Sequence, residues 1–474
     1  MSPDVNRQAI STAIAHRWDH EVIETLHDFV AVPNVSPAFD AAWAEHGHMD
    51  RAVTLVRDWC EGRDIDGMTV EVRELPGRTP IVLCEIPATD AALAADTVLL
   101  YGHLDKQPEM TGWLDGLGPW TPVLEGDRLY GRGGADDGYS VFAALTAIEA
   151  LREAGGSHAR LVVLIEASEE SGSPDLPPHL DALGDRLGDV SLVIGLDSGA
   201  ATYDRLWVTT SLRGVISAQL RVDVLTEGVH SGSAGGIVPS SFRLLRQLMD
   251  RIEDSTTGRV LVDELHVALP DERRRQIDDI ADEIAADLSF PFSGSTEPDH
   301  DAAVDLVRAR TWEPSIANIA VDGFPPPDRA GNVLRPHTAL SLAIRLPPTA
   351  DPAAASEALR GRLTDDPPNG ATVRFDVLAA EAGWNAPPTA DWLQLAADRA
   401  SEAFWGRPSS AMGEGGTIPF MGMLGERFPE AQFLITGVLG PGSNAHGPNE
   451  FLHLPMARNI AATVSGVLDA HARR

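Results

Sequence analysis

The stretch Leu161-Val162-Val163-Leu164-Ile165-Glu166-Ala167-Ser168-Glu169-Glu170-Ser171-Gly172-Ser173 carries the decision about the fold. An unbroken apolar run, rich in β-branched residues and closed by a polar Gly/Ser turn, reads as a strand buried on both faces. Open α/β sheets bind ligands beyond the carboxyl ends of their strands, so the paired glutamates fall where chemistry is expected. Working outward, Ile81–Ile86, Thr97–Tyr101 and Leu192–Leu196 read as further buried strands, and Met49–Trp59 and Ser140–Leu151 as helices packed on them. Apolar residues at helical spacing predict an amphipathic helix over Ser11–Val32 that stops before Pro33.

Around Leu212 the texture changes. Val215–Val224 alternates as a half-exposed strand, Arg243–Ile252 reads as a helix, and Leu340–Leu346 and Thr372–Leu378 read as strands. Asp271–Asp299 is charged and then Ser/Pro-rich, which predicts a helix followed by an exposed loop. From about Pro388 the first texture resumes, with a helix over Trp392–Phe404, a strand at Gln432–Gly437 and a last helix over Pro455–His471. The expected organisation is an α/β domain of residues 1–211 and 384–474, interrupted by an α+β insertion of residues 212–383.

Composition removes several function classes. The 474 residues carry 70 acidic and 37 basic side chains, a formal charge of −33 that repels phosphate backbones and anionic lipid. Lys106 is the one lysine, and no basic cleft is visible, so neither nucleic acid nor membrane is an expected partner. Cys60 and Cys84 are too few for a disulfide framework or a four-thiolate zinc site, so a metal would be held by imidazole and carboxylate. No basic-then-apolar leader and no run of about 18 apolar residues is found, which makes cytoplasmic the expected location.

Five segments carry candidate chemistry. His103-Leu104-Asp105 places an imidazole beside a carboxylate able to hold its second ring nitrogen. Gly131-Arg132-Gly133-Gly134-Ala135-Asp136-Asp137 sets two adjacent acids in a glycine-rich turn, where they repel unless a cation compensates. Glu169-Glu170 suits one carboxylate on metal and one shuttling protons. Asp197 follows another strand, and His446 lies in a late loop of small residues. Each alone also reads as a turn, a helix cap or a solvated loop. Together these hard oxygen and borderline nitrogen donors suit two divalent ions sharing a carboxylate, about 3.5–4 Å apart.

In this order the motifs resemble the M20 co-catalytic metallopeptidases, closest to the carnosinase and cytosolic non-specific dipeptidase branch. Glu169-Glu170-Ser171-Gly172-Ser173, Leu212-Arg213-Gly214 and Glu414-Gly415-Gly416-Thr417-Ile418-Pro419 carry the resemblance to that branch. It implies a mixed-sheet, zinc-peptidase-like catalytic domain with an inserted lid that dimerises, and two divalent ions, Zn with Mn or Co as alternatives. Asp136 would bridge the ions, with His103 and Asp197 on one, Glu170 and His446 on the other, and a cis peptide after Asp136. Asp105 would orient His103 and Glu169 would be the general base. His230, supplied by the partner of a homodimer, would stabilise the oxyanion. Arg345 would grip a substrate carboxylate, helped by Asn318, and Glu414, Gly415, Gly416 and Thr417 would wall the substrate. The implied activity is hydrolysis of dipeptides or small peptides with a free C-terminal carboxylate. An N-acyl-amino-acid deacylase using the same metals is the alternative.

Overall fold

The computed structural model describes residues 6–287, 290 and 292–474. In chain order the elements that matter below are α1 (Arg7–Arg17), α2 (Ile23–Val30), α3 (His48–Glu61), β1 (Thr69–Arg73), β2 (Ile81–Ile86), β3 (Asp96–His103), α4 (Ser140–Glu153), β4 (Arg160–Glu166), β5 (Asp189–Gly195), β6 (Gly214–Asp223), α5 (Ser241–Met249), α6 (Asp271–Asp287), β7 (Ser315–Asp322), β8 (His337–Leu346), α7 (Pro352–Thr364), β9 (Thr372–Glu381), α8 (Asp391–Trp405), β10 (Gln432–Ile435) and α9 (Leu454–Ala472). The predicted first helix is α1 and α2 joined through a single π turn, Trp18–Val22, without a break.

Two compact units form. One is Met1–Thr210, Ala386–Met412 and Met423–Arg474; the other is Ser211–Asn385 with Gly413–Gly422. The sequence reading assigns all of 384–474 to the first unit, whereas the structure gives Gly413–Gly422 to the second. Arg213 makes that attachment: its buried guanidinium donates to the carbonyl of Gly415 at 3.1 Å, and the Thr417 hydroxyl donates to the Arg213 carbonyl at 2.6 Å.

The first unit is built on a six-stranded mixed sheet in the order β1-β2-β4-β3-β5-β10. β4, β3, β5 and β10 are parallel, and β2 runs against β4. β4 buries every residue from Leu161 to Glu166, which is why its sequence is a continuous apolar run rather than an alternation. The last helix, α9, packs with α1, α4 and α8. α4 is buried nearly all round, from Ser140 to Leu151, and its Ala-rich face allows this close approach. Register levels the strand ends that matter: His103 of β3 lies opposite Glu166 of β4, and Tyr101 of β3 opposite Gly195 of β5.

The second unit carries an antiparallel sheet in the order β7-β8-β6-β9. Alternate residues of β6, Ile216, Ala218, Leu220 and Val222, are buried with Leu244 and Leu248 of α5 and Leu359 and Leu363 of α7. That period-two burial makes the unit α+β, with helices on one face of its sheet. β7 is an edge strand and leaves Ile319 and Val321 exposed. Of the predicted loop after α6, residues 288, 289 and 291 lie outside the described residues.

Candidate metal centre

β3 ends in His103, and the close approach that seats it demands a glycine just before. A Cβ on Gly102 would stand 2.1 Å from the Ser140 hydroxyl and 2.7 Å from Asp137 Oδ2. Asp137 Oδ2 in turn accepts from the His103 backbone N–H at 3.2 Å, so the second acid of the glycine-rich turn holds the strand end. Asp136 precedes it, and the Asp136–Asp137 peptide is cis. The adjacent acids are thus divided, one facing the cleft and one serving the backbone.

Asp136 presents its two oxygens to different imidazoles. Oδ1 lies 3.3 Å from His103 Nε2, and Oδ2 lies 3.0 Å from His446 Nε2. Asp197, two residues past β5, lies 3.5 Å from His103 Nε2, and Glu170 lies 3.4 Å from His446 Nε2. Two donor sets result, His103–Asp136–Asp197 and Asp136–Glu170–His446, the ligand atoms of each within 4.8 Å of one another. The first set is wholly buried, while in the second Glu170 is partly exposed and His446 exposed.

Glu169 and Glu170 sit on a single 3₁₀ turn, Glu169–Ser171, pinned from two sides. Asp105 accepts from the backbone N–H of Glu169 and of Glu170, each at 3.1 Å. Glu166 accepts from the Ser173 hydroxyl at 2.8 Å, from Ser168 at 3.2 Å and from Tyr101. Burial pushes the Glu166 carboxyl up to about 7. The His103 ring meets Asp105 through the backbone: Nδ1 is 3.1 Å from the Asp105 carbonyl and 3.5 Å from its carboxylate. Asp105 therefore contacts the imidazole and the glutamate turn at once. Glu169 Oε2 lies 3.9 Å from His103 Nε2 and coordinates in neither donor set.

The charge pattern fits cations. Burial, together with Asp197, Asp136 and Asp105, drives Glu169 well above the usual carboxylate range, although His103 opposes this. Burial also raises Asp137 and Asp197. Burial opposes protonation of His103, but Asp105, Asp136 and Asp197 carry its pKa well above the ordinary value. His103 Nε2 is buried without a hydrogen-bond partner, aimed between Asp136 and Asp197. Carboxylates crowded this closely, around a ring nitrogen with nothing to bond, form an arrangement that bound divalent ions would neutralise.

Gln107, Arg132 and Glu450 also shape the site, and sequence reasoning gave none of them a role. Gln107 Nε2 donates to Glu170 Oε2 at 2.6 Å. Arg132 and Glu450 form a buried ion pair, and burial pushes the Glu450 carboxyl up to about 7. The available signal was position: each stands within four residues of a proposed ligand.

The residues expected to contact substrate lie in the second unit. Arg345, on β8, donates through Nη1 to Thr417 Oγ1 at 3.1 Å; Gly415 and Gly416 sit on the same turn, and Glu414 approaches Arg310 at 3.7 Å. Asn318 is exposed on β7 beside a register shift. His230 is exposed on a two-residue strand, its Nδ1 accepting from Gly232 N–H at 3.2 Å.

Residues 99–470 match the model of peptidase family M20/M25/M40. A cysteinylglycine-S-conjugate dipeptidase of Corynebacterium striatum is 28% identical over 370 residues, covering 77% of this chain and 80% of the relative. Among solved structures, the di-peptidase Dug1p of Saccharomyces cerevisiae superposes with a TM-score of 0.79 at 21% identity, and human carnosine dipeptidase 1 with 0.78 at 22%, each covering 100% of both chains. With the family model spanning most of its length and the strand-end residues gathered as described, this chain is a hydrolase belonging to the M20/M25/M40 peptidase family.

Proposed function

We propose that the protein is a metal-dependent dipeptidase acting on dipeptides or small peptides with a free C-terminal carboxylate. The observation that carries this reading is Asp136, whose two oxygens face the imidazoles of two separate donor sets with Glu169 beside them. The relatives named dipeptidases support the substrate class.

His103, Asp136 and Asp197 would hold one divalent ion, and Asp136, Glu170 and His446 the other. Zn, Mn and Co all suit these oxygen and nitrogen donors. Bound there, the ions would supply Lewis acidity and a water of lowered pKa. Glu169 takes the proton as the water oxygen attacks the scissile carbonyl carbon. It returns that proton to the leaving nitrogen as the C–N bond breaks, giving an amine and a carboxylic acid, whose remaining proton passes to the amine to leave ammonium and carboxylate. Asp105 keeps Glu169 aimed through its backbone hydrogen bond.

The remaining roles rest on the family resemblance together with chemistry inside the second unit. Arg345, held by Thr417, offers a planar donor fork that matches a carboxylate. Glu414, Gly415, Gly416 and Asn318 would line the substrate's path, and His230 would come from a second copy to hold the oxyanion. The exposed edge strand β7, with Ile319 and Val321 unburied, suits a homodimer formed through this lid. Among the described residues no helix is long and apolar enough to cross a membrane.

The test is a panel of dipeptides and N-acetyl amino acids assayed after reconstitution with Zn, Mn or Co. Turnover of dipeptides is expected; turnover of N-acetyl amino acids alone would move the activity to deacylation.

A further inference from the structure

We propose that the buried Arg132–Glu450 pair is a positioning device that sets the loop of His446 against the turn of Asp136, and so builds the second cation position, bearing far less on the first, whose other donors His103 and Asp197 the pair does not hold. The inference rests on the two-cation reading above.

The pair lies beneath the site, with both side chains fully buried and Arg132 Nη1 2.5 Å from Glu450 Oε2. Each partner also bonds backbone in the other's segment. Arg132 Nη2 donates to the carbonyl of Gly447, the residue after His446, at 2.8 Å. Glu450 Oε1 accepts from Gly133 N–H at 2.9 Å, and its carbonyl accepts from Gly131 N–H at 3.0 Å, in the turn that leads to Asp136. The contacts therefore cross: the segment of one ligand holds the segment of the other.

The His446 loop needs such a hold. Asn444, His446 and Asn449 all have left-handed backbones, with φ of 55°, 63° and 61°. Side chains bearing a Cβ disfavour that region, and it persists only where surrounding contacts fix it. His446 is itself exposed, so it gains little from packing. His103 is different, because it leaves a central strand and is buried in its own donor set. A buried ion pair adds little net stability once desolvation is counted. A guanidinium fork that reaches a carboxylate and a carbonyl together supplies geometry that an apolar pair would not.

The test is calorimetric titration of the metal-free full-length protein with Zn²⁺ and with Co²⁺, each variant's fold being checked by circular dichroism and thermal melting. The wild-type chain should take up two equivalents. Arg132→Gln/Glu450→Gln removes both charges together, so neither partner is left as an unpaired ion and the net charge beside Lys106 is unchanged. It should keep the first affinity within about threefold and weaken the second about 10- to 100-fold, the range for partners that orient metal ligands. Arg132→Lys, which keeps the charge and lacks the fork, should show the same selective loss and carries the test if the double variant does not fold. A folded variant with both affinities unchanged, or both weakened alike as a general structural role requires, overturns the proposal. A wild-type chain that binds a single equivalent defeats the two-cation reading itself.

Discussion

The general base proposed above, Glu169, sits in neither donor set, which would keep proton transfer separate from cation binding. Glu169→Gln should lower kcat by about 10²–10⁴-fold, the usual contribution of a general base, with metal content unchanged; mass spectrometry of bound metal beside steady-state rates checks both. His158 gives a second test, away from the site. Its Nε2 accepts from Arg152 at 2.9 Å and its Nδ1 lies 2.7 Å from the Ala159 carbonyl, so the ring is held neutral. Burial lowers its pKa from 6.5 to about 4. The unfolded chain therefore takes up this proton first as pH falls, and stability is lost from about pH 6.5 down to about pH 4, a loss of at most about 3 kcal/mol. Thermal melts of His158→Gln should show a smaller Tm decline over that window than wild type. The residues of the two donor sets were legible because metal chemistry restricts residue type and the strand ends restrict place. Gln107, Arg132 and Glu450 were not, because each acts through a partner brought near only by folding.

At the level of elements, β3 shows how a strand end becomes a site. Gly102→Ala would drive a methyl into the Ser140 hydroxyl and Asp137, displacing the carboxylate that anchors His103. A stability loss of about 1–3 kcal/mol is expected, as for other overpacked cores, with weaker binding of the first cation; denaturant melts and metal titration read the two. In the second unit, Arg345→Ala should raise KM about 10- to 100-fold for free dipeptides and far less for their C-terminal amides, the range of a lost charged hydrogen bond. The buried strands β2, β3, β4 and β5 and the flanking helices were readable because burial on both faces writes a continuous apolar run. The attachment of Gly413–Gly422 to the second unit was not, because it depends on Arg213, a residue two hundred positions away in the chain, and no local pattern encodes that contact.

For the whole molecule, metal dependence and subunit sharing are the quantities to measure. Prolonged chelation should abolish turnover, and added Zn, Mn or Co should restore it. If His230 acts across a dimer, heterodimers of His230→Ala and Glu169→Gln subunits should regain about half of wild-type activity per dimer, as one intact composite site of two; heterodimers as inactive as the parents would remove that arrangement. The single lysine has a consequence of its own. Lys106 is fully buried, its Nζ donating to the carbonyls of Phe29 at 2.7 Å and Val32 at 2.8 Å, between the end of α2 and the His103 strand. An amine-selective acylating reagent thus meets no other side chain of its kind, and a mass increment at that position would record each moment at which this corner of the molecule comes apart.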